Sequence, residues 1–329
     1  MAGSYMNKMI MVICTMAFVC FYSTASMASM TKEETQKKAI VLAVFGTTYP
    51  AALQSIQNLK IEIEKAFPEI PVKLAFTSEV IRAKWGKRAK DAKWRQQHPE
   101  IPEEFYSIKN PLATIANLQD QGYRYIAVQS THIFAGEEYQ NLKAEIETLA
   151  SIKTLRDRDK PFKKIILGRP ALGESGDVYH YKEDIQRAAN LLKGDVDIAR
   201  KNKSALVYMG HGNEIFSTGA YIELEAALRD MNPDMTIFIG NVEGFPQPER
   251  VINGLKKAEI KRVTLFPLMV VAGDHASNDM AGNEKDSWKS MFESNGITVI
   301  PIMRGLGEMD EWAALYIKHL QDVMTAYQF

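Results

Sequence analysis

One strand-and-helix pattern occurs twice in this chain, in the same order, and nothing else in the sequence restricts its fold so tightly. Short β-branched runs alternate with amphipathic stretches, the signature of a parallel sheet covered by helices. In the first copy the predicted strands are AIVLAVFG (39–46), VKLAFTS (72–78), YIAVQSTHIF (125–134) and KIILGRPAL (164–172). In the second they are ALVYMGHG (205–212), MTIFIGN (235–241), VTLFPLMVVAG (263–273) and TVIPIMRGLG (298–307). VFGTTYPAA aligns with YMGHGNEI, LAFTSEV with FIGNVEG, HIFAGEEY with MVVAGDHA, and GRPALG with IMRGLG. Gly46 to Glu79 spans 33 positions, and Gly210 to Glu243 spans the same 33. Gly136 lies 57 beyond Glu79 whereas Gly273 lies 30 beyond Glu243, so the first copy carries 27 extra residues.

The surplus is RAKWGKRAKDAKWRQQHPEIPEEFYSIKN (82–110), basic at first, then acidic and interrupted by proline. Between the strands, helical periodicity is clear: Ile56, Leu59, Ile63 and Phe67 recur at three or four residues and make one apolar face. A helical stretch over 177–201 connects the copies. The expected architecture is α/β, with two similar domains from an internal duplication, each a parallel sheet flanked by helices, and a cleft between them. The N-terminal domain is 38–175 with the insertion 82–110, and the C-terminal domain is 176–329. The last helix (309–329) has enough apolar residues, Trp312, Leu315, Tyr316, Leu320 and Val323, to pack on either.

The first 28 residues stand outside this pattern. Lys8 precedes a 14-residue apolar core, MIMVICTMAFVCFY (9–22), and STASMAS (23–29) follows with Ser26 and Ala28 suited to cleavage after Ala28. A run this short fits a signal peptide better than a spanning helix, which needs about 20 residues; an uncleaved anchor is the alternative. The expected location is the periplasm, with no stable membrane insertion after cleavage. Cys14 and Cys20 both lie in this segment, so the remaining chain has no disulfide, thiolate nucleophile or cysteine metal site. Forty basic and forty acidic residues cancel, which excludes a global field drawing in nucleic acid. A homo-oligomer is compatible with the sequence.

In open parallel sheets, ligands sit outside the carboxyl ends of the strands. The alignment puts His211, Glu243 and His275 there in the second copy, against Thr47, Glu79 and Glu138 in the first. A lone Gly-His-Gly is ordinarily a turn with a hydrogen-bonded histidine, and Glu243 alone would be an exposed loop acid. Their coincidence at matched strand ends is what favours a shared ion. Two imidazoles and a carboxylate suit Co²⁺, Fe²⁺, Ni²⁺ or Zn²⁺, and three protein ligands leave coordination positions open. His132 ends a strand on the same rim, either lining the cleft or capping the strand. Glu138, with Glu137, either guides a cation or opens a helix, where acids suit the dipole. Arg82 and Arg88 in the insertion are candidates to hold an anionic ligand, although charge runs are usually solvated helix faces. His98 suits an exposed loop, or an external ligand to a haem or a subunit contact. His180 and His319 fall in helical patterns and read as structural. No GxxxxGK[ST], Gly-x-Ser-x-Gly or HExxH occurs.

The motifs VFGT, AVQSTHIFAGEEY, MGHGN, GNVEGFP and PLMVVAGDHASNDMAGNEKDSW together resemble the sirohydrochlorin cobaltochelatases of anaerobic cobalamin synthesis, over about 38–329. That resemblance implies the chelatase fold shared with class II ferrochelatases, and ATP-independent insertion of Co²⁺ into sirohydrochlorin or its reduced precursor. It also implies metal ligands that map onto His211, Glu243 and His275, residues the repeat selects independently. The family works in the cytoplasm as a rule, so an export signal is a departure from it. A periplasmic metal, haem or tetrapyrrole carrier on the same scaffold is the alternative that this departure motivates. A metal-dependent hydrolase has no substrate motif to support it.

Overall fold

Strand β1 (Lys38–Val44) shows why the sheets form and how they are covered. Its side chains alternate: Ile40, Leu42 and Val44 enter one apolar core, while Ala39, Val41 and Ala43 enter another on the opposite face. A strand buried on both sides in this way belongs to a parallel sheet sandwiched by helices. The computed structural model describes residues 36–176 and 179–329; the leader read in 1–28 lies outside them. No helix among the described residues is long and apolar enough to cross a membrane.

The chain continues through α1 (Leu53–Ala66), β2 (Val72–Phe76), α2 (Glu79–Ala89), α3 (Ala92–Gln97), α4 (Glu103–Tyr106), α5 (Pro111–Asp120), β3 (Tyr125–Ser130), α6 (Glu137–Ala150) and β4 (Lys164–Gly168). Two helices follow, α7 (Tyr181–Leu191) and α8 (Lys193–Lys201), where the sequence suggests one continuous stretch; the break falls at Leu192. Then come β5 (Ala205–Gly212), α9 (Gly219–Met231), β6 (Ile237–Glu243), α10 (Pro248–Lys257), β7 (Arg262–Leu268), α11 (Trp288–Ser294), β8 (Thr298–Pro301) and α12 (Asp310–Ala326).

The two sheets have the same topology, β2-β1-β3-β4 and β6-β5-β7-β8, all neighbours parallel. This matches the duplication read in the sequence. In each sheet the order reverses between the first and third strands of the copy. That is the point at which an open parallel sheet leaves a crevice. One face of each sheet contributes to a single apolar core, with Leu206 and Tyr208 joining Ile40 and Leu42. Ala205, Val207 and Met209 face a separate core on the far side of the second sheet.

Helix α12 lies in the shared core, where Trp312, Leu315, Tyr316 and Leu320 are fully buried, and it packs on β3, β4, α1 and α7. Its Tyr316 hydroxyl donates to Thr131 O at 2.7 Å. Beside it, Arg169 after β4 makes a bidentate pair with Asp184 (2.6 and 2.9 Å) and a third bond to Asp322 (3.0 Å). His319, as expected, is structural: it is buried between Arg169 O and Asp184 Oδ1, both at 3.1 Å. His180 is the exposed residue preceding α7.

The run VTLFPLMVVAG leaves the sheet earlier than its apolarity suggests. Strand β7 ends at Leu268, and Met269–Ala272 instead wedge between the cores, Val270 and Val271 against the shared one and Met269 and Ala272 against the other. The first two carbonyls of this stretch are still paired, Leu306 N donating to Met269 O and Gly307 N to Val270 O, each at 2.9 Å.

Candidate metal centre

His211 is the penultimate residue of β5, and the chain must turn immediately after it. Gly212 does so with φ +78°, in the left-handed region that glycine alone enters without penalty. A Cβ there would sit 1.9 Å from Glu243 O, so only a hydrogen lets the ends of β5 and β6 press together. The register pairs Gly212 with Glu243. His211 Nδ1 and Glu243 Oε2 are consequently 3.9 Å apart.

His275 arrives from the neighbouring strand on the other side. Beyond β7, a π-helical turn (Ala276–Met280) begins directly after it, a local geometry often found at functional sites. Its ring meets that of His211 edge to face, centroids 4.8 Å apart. β5 and β7 are the strands that flank the order reversal, so the two imidazoles stand at the crevice of the second sheet. The three side chains are 39, 44 and 35% exposed for His211, Glu243 and His275, open enough for an ion to reach.

His211 thus contacts both other residues, but the three do not close on one point. Among the described residues, no three His, Cys, Asp or Glu side chains are set to hold a single ion. His211 Nδ1 faces Gly212 O at 3.2 Å, and Glu243 approaches that same nitrogen. A common ion would require these part-exposed side chains to rotate towards one another.

The first copy contributes Glu138, near the start of α6. Burial pushes its carboxyl up; the Thr77 hydroxyl opposes this, Glu137 adds to it, and His211 opposes it by attraction across the gap. Glu138 also borders a groove of about 680 Å³ with Glu79, Arg82, Asn141 and Glu145. Tyr49, in the loop after β1, reaches the second copy and donates to Asp274 Oδ1 at 2.9 Å.

Other candidates are placed differently. His132 lies two residues beyond β3 and is part-buried: Nδ1 meets Ser130 Oγ at 2.8 Å, and the Nε2 atom itself is buried with no partner among the described residues. Burial pushes its imidazole down to about 4, so it stays neutral and is a poor proton acceptor at neutral pH. Arg88 does not suit an anion clamp. It lies over Trp85 and Trp94 (4.6 and 4.0 Å to the ring centroids), donates to Thr48 O at 2.7 Å, and so is spent on holding the insertion to the sheet rim. Arg82 is likewise committed, donating to Phe76 O and Thr77 O at 2.6 and 2.7 Å. The basic run is therefore more than a solvated face, since Trp85 within it is fully buried, with Nε1 on Thr47 O at 2.8 Å. His98 stacks on Trp94 at 3.9 Å and bonds Glu100 at 3.2 Å; no contact among the described residues links it to the histidine pair.

The cobalt chelatase (CbiK) family model matches residues 38–325. The chain belongs to that family. Within the chelatases, a sirohydrochlorin cobaltochelatase of Nitratidesulfovibrio vulgaris is 30% identical over 290 residues, 88% of this chain and 92% of that protein. A sirohydrochlorin cobaltochelatase of Salmonella typhimurium is 29% identical over 290 residues, 88% of this chain and 97% of that one. Among solved structures, SirB from Bacillus subtilis with Fe³⁺ superposes with a TM-score of 0.56 at 14% identity, covering 89% of this chain and 98% of SirB. The sirohydrochlorin chelatase SirB of the subspecies spizizenii in complex with cobalt gives 0.53 at 14%, covering 89 and 96%. These two likenesses establish the chelatase fold for the chain.

The sequence places Asp279 in the polar turn beside His275 without giving it a role, and it offers no sign of the Tyr49–Asp274 contact. The signal for the former was present in DHASND: His275 and Asp279 are spaced i,i+4, as are Asp274 and Asn278, so each pair falls on one side of a turn. The latter joins residues 225 apart and has no local signature.

Proposed function

We propose that this chain inserts Co²⁺ into sirohydrochlorin or its reduced precursor without ATP, accepts Fe²⁺ as a second ion, and delivers the metal from His211, Glu243 and His275. Family membership and the names of the curated relatives support the activity. The observation that carries the assignment of residues is the His211–His275 pair, 4.8 Å apart at the crevice with Glu243 beside it. The metal here is substrate, so ligands that hold it must also release it, and exposed side chains on glycine turns suit that better than a closed cage.

Metal entry displaces two pyrrole protons from the macrocycle. A base within reach of the ring nitrogens must take them. His211 is assigned that role, because its part-exposed imidazole stands at the crevice between Glu243 and His275. Glu138, with its carboxyl raised by burial and facing His211, is the nearby acid-base group from the first copy. Since Arg82 and Arg88 are engaged with backbone, Lys84, beside Thr48 at the same rim, is assigned to the peripheral carboxylates. The two lobes of the proposal are 38–175 and 176–329, and the apolar segment 9–22 directs the activity to the periplasm.

The test is the absorption change of sirohydrochlorin on adding Co²⁺. The wild-type protein is expected to accelerate it and the His211→Ala/His275→Ala double variant is not. Equal rates would overturn the assignment, and stoichiometric retention of tetrapyrrole without turnover would replace it with a carrier.

A further inference from the structure

We propose that Asp279 is a positioning residue that holds His275 with its proton on Nδ1 and a bare lone pair on Nε2. This rests on His275 being a metal ligand. Asp279 Oδ2 lies 2.5 Å from His275 Nδ1. A carboxylate accepts only, so the ring proton of a neutral His275 is drawn to Nδ1 and Nε2 is left to meet a cation. A carboxylate behind a ligating imidazole fixes both ring orientation and tautomer, and raises the basicity of the nitrogen that binds the ion.

The turn that carries the pair is itself anchored. Asn278 donates to Asp274 Oδ1 at 3.1 Å, and Tyr49 donates to the same oxygen at 2.9 Å, tying the turn to the loop after β1. The Asp279 carboxylate is therefore delivered from a fixed frame. His211 is held more loosely: its Nδ1 faces the Gly212 carbonyl oxygen at 3.2 Å, and the nearest carboxylate oxygen, Glu243 Oε2, stands off at 3.9 Å. The two histidines are unequal by construction. His275 is the braced ring that keeps the ion in place, and His211 is the freer ring that lets go as the ion passes to the macrocycle.

The experiment uses the full chain with ¹⁵N-labelled histidine, free of metal, at a pH above the imidazole range. Long-range ¹H–¹⁵N correlation is expected to show His275 as the Nδ1–H tautomer. Asp279→Ala shifts it to Nε2–H, the form histidine favours in water. Asp279→Asn, whose amide oxygen still accepts from Nδ1, retains the first form. Titration with Co²⁺ alone is expected to show about 10–100-fold weaker binding for Asp279→Ala, and a smaller loss for Asp279→Asn, which also serves if the alanine variant does not fold. An unchanged tautomer in Asp279→Ala, or Co²⁺ affinity unchanged in both variants, overturns the proposal. Undiminished Co²⁺ binding by His275→Ala would remove the ligand assignment beneath it, an outcome the tautomer spectrum distinguishes from the first.

Discussion

His132 makes the stability of this fold depend on pH below the ordinary imidazole range. Its Nε2 is buried without a partner among the described residues, and Nδ1 has only the Ser130 hydroxyl. Protonation would place an imidazolium, with an N–H pointing at nothing, inside the protein. Burial accordingly lowers its pKa from 6.5 to about 4. The unfolded chain binds the proton first, so stability is full above pH 6.5 and falls as pH drops towards 4, where the folded form also protonates. Each unit of difference is worth about 1.4 kcal/mol, so the loss is about 1.4 kcal/mol at pH 5.5 and about 3 kcal/mol by pH 4. The perturbation is His132→Asn, which keeps a polar atom at the Nδ1 position and cannot titrate. Urea unfolding of both proteins at several pH values between 7.5 and 4 isolates the term as the difference in their slopes. Parallel stability curves for the two across that range would show that His132 is not held neutral by its surroundings.

Three further predictions concern other parts of the molecule. Gly212→Ala must adopt φ +78° and place a methyl against Glu243 O, so it should lose about 1–3 kcal/mol from backbone strain before any clash is counted, measured by thermal unfolding, together with Co²⁺ binding. Asp184 is buried, which opposes its charge, but Arg169 and His319 outweigh this and hold its carboxyl at about 2. Its contribution is therefore present above pH 3.8 and lost towards pH 2, and Asp184→Ala, which leaves buried Arg169 with Asp322 as its remaining acid partner, should cost about 3 kcal/mol in denaturant unfolding at neutral pH. Arg88→Ala should lower the unfolding midpoint, by about 1–2 kcal/mol for two cation–π contacts and a backbone bond, while KM for the tetrapyrrole stays unchanged; a raised KM at unaltered stability would restore Arg88 as an anion clamp.

Periodicity and repetition were enough to locate the strands, because burial on both faces leaves little freedom: Ile40 and Val41 both need to be apolar, for different neighbours. The same signal misleads at Met269–Ala272, since a wedge between two cores is as apolar as a strand. His211 and His275 were legible through the duplication, which sets strand ends side by side whatever their separation in sequence. Side-chain commitments were not. Whether Arg88 meets a ligand or Trp85 and Trp94 depends on how the insertion folds back, and its weak helical patterning does not specify that. His132 shares its strand-end position with His211 and His275, and only the packing around its ring shows that its Nε2 is closed off.

The position of α12 has a consequence for synthesis. Its Trp312 and Tyr316 complete the covering of a sheet built from the earliest described residues, and the terminal Phe329 rests against Tyr125 and Lys38. A nascent chain that has already extruded β1 to β4 therefore carries a greasy, uncapped layer until α12 emerges. Domains that form one by one behind the ribosome escape such exposure. Here the first half must wait for the last helix, so the nascent chain needs shielding for most of its elongation, and a truncation that removes only α12 should aggregate as a whole.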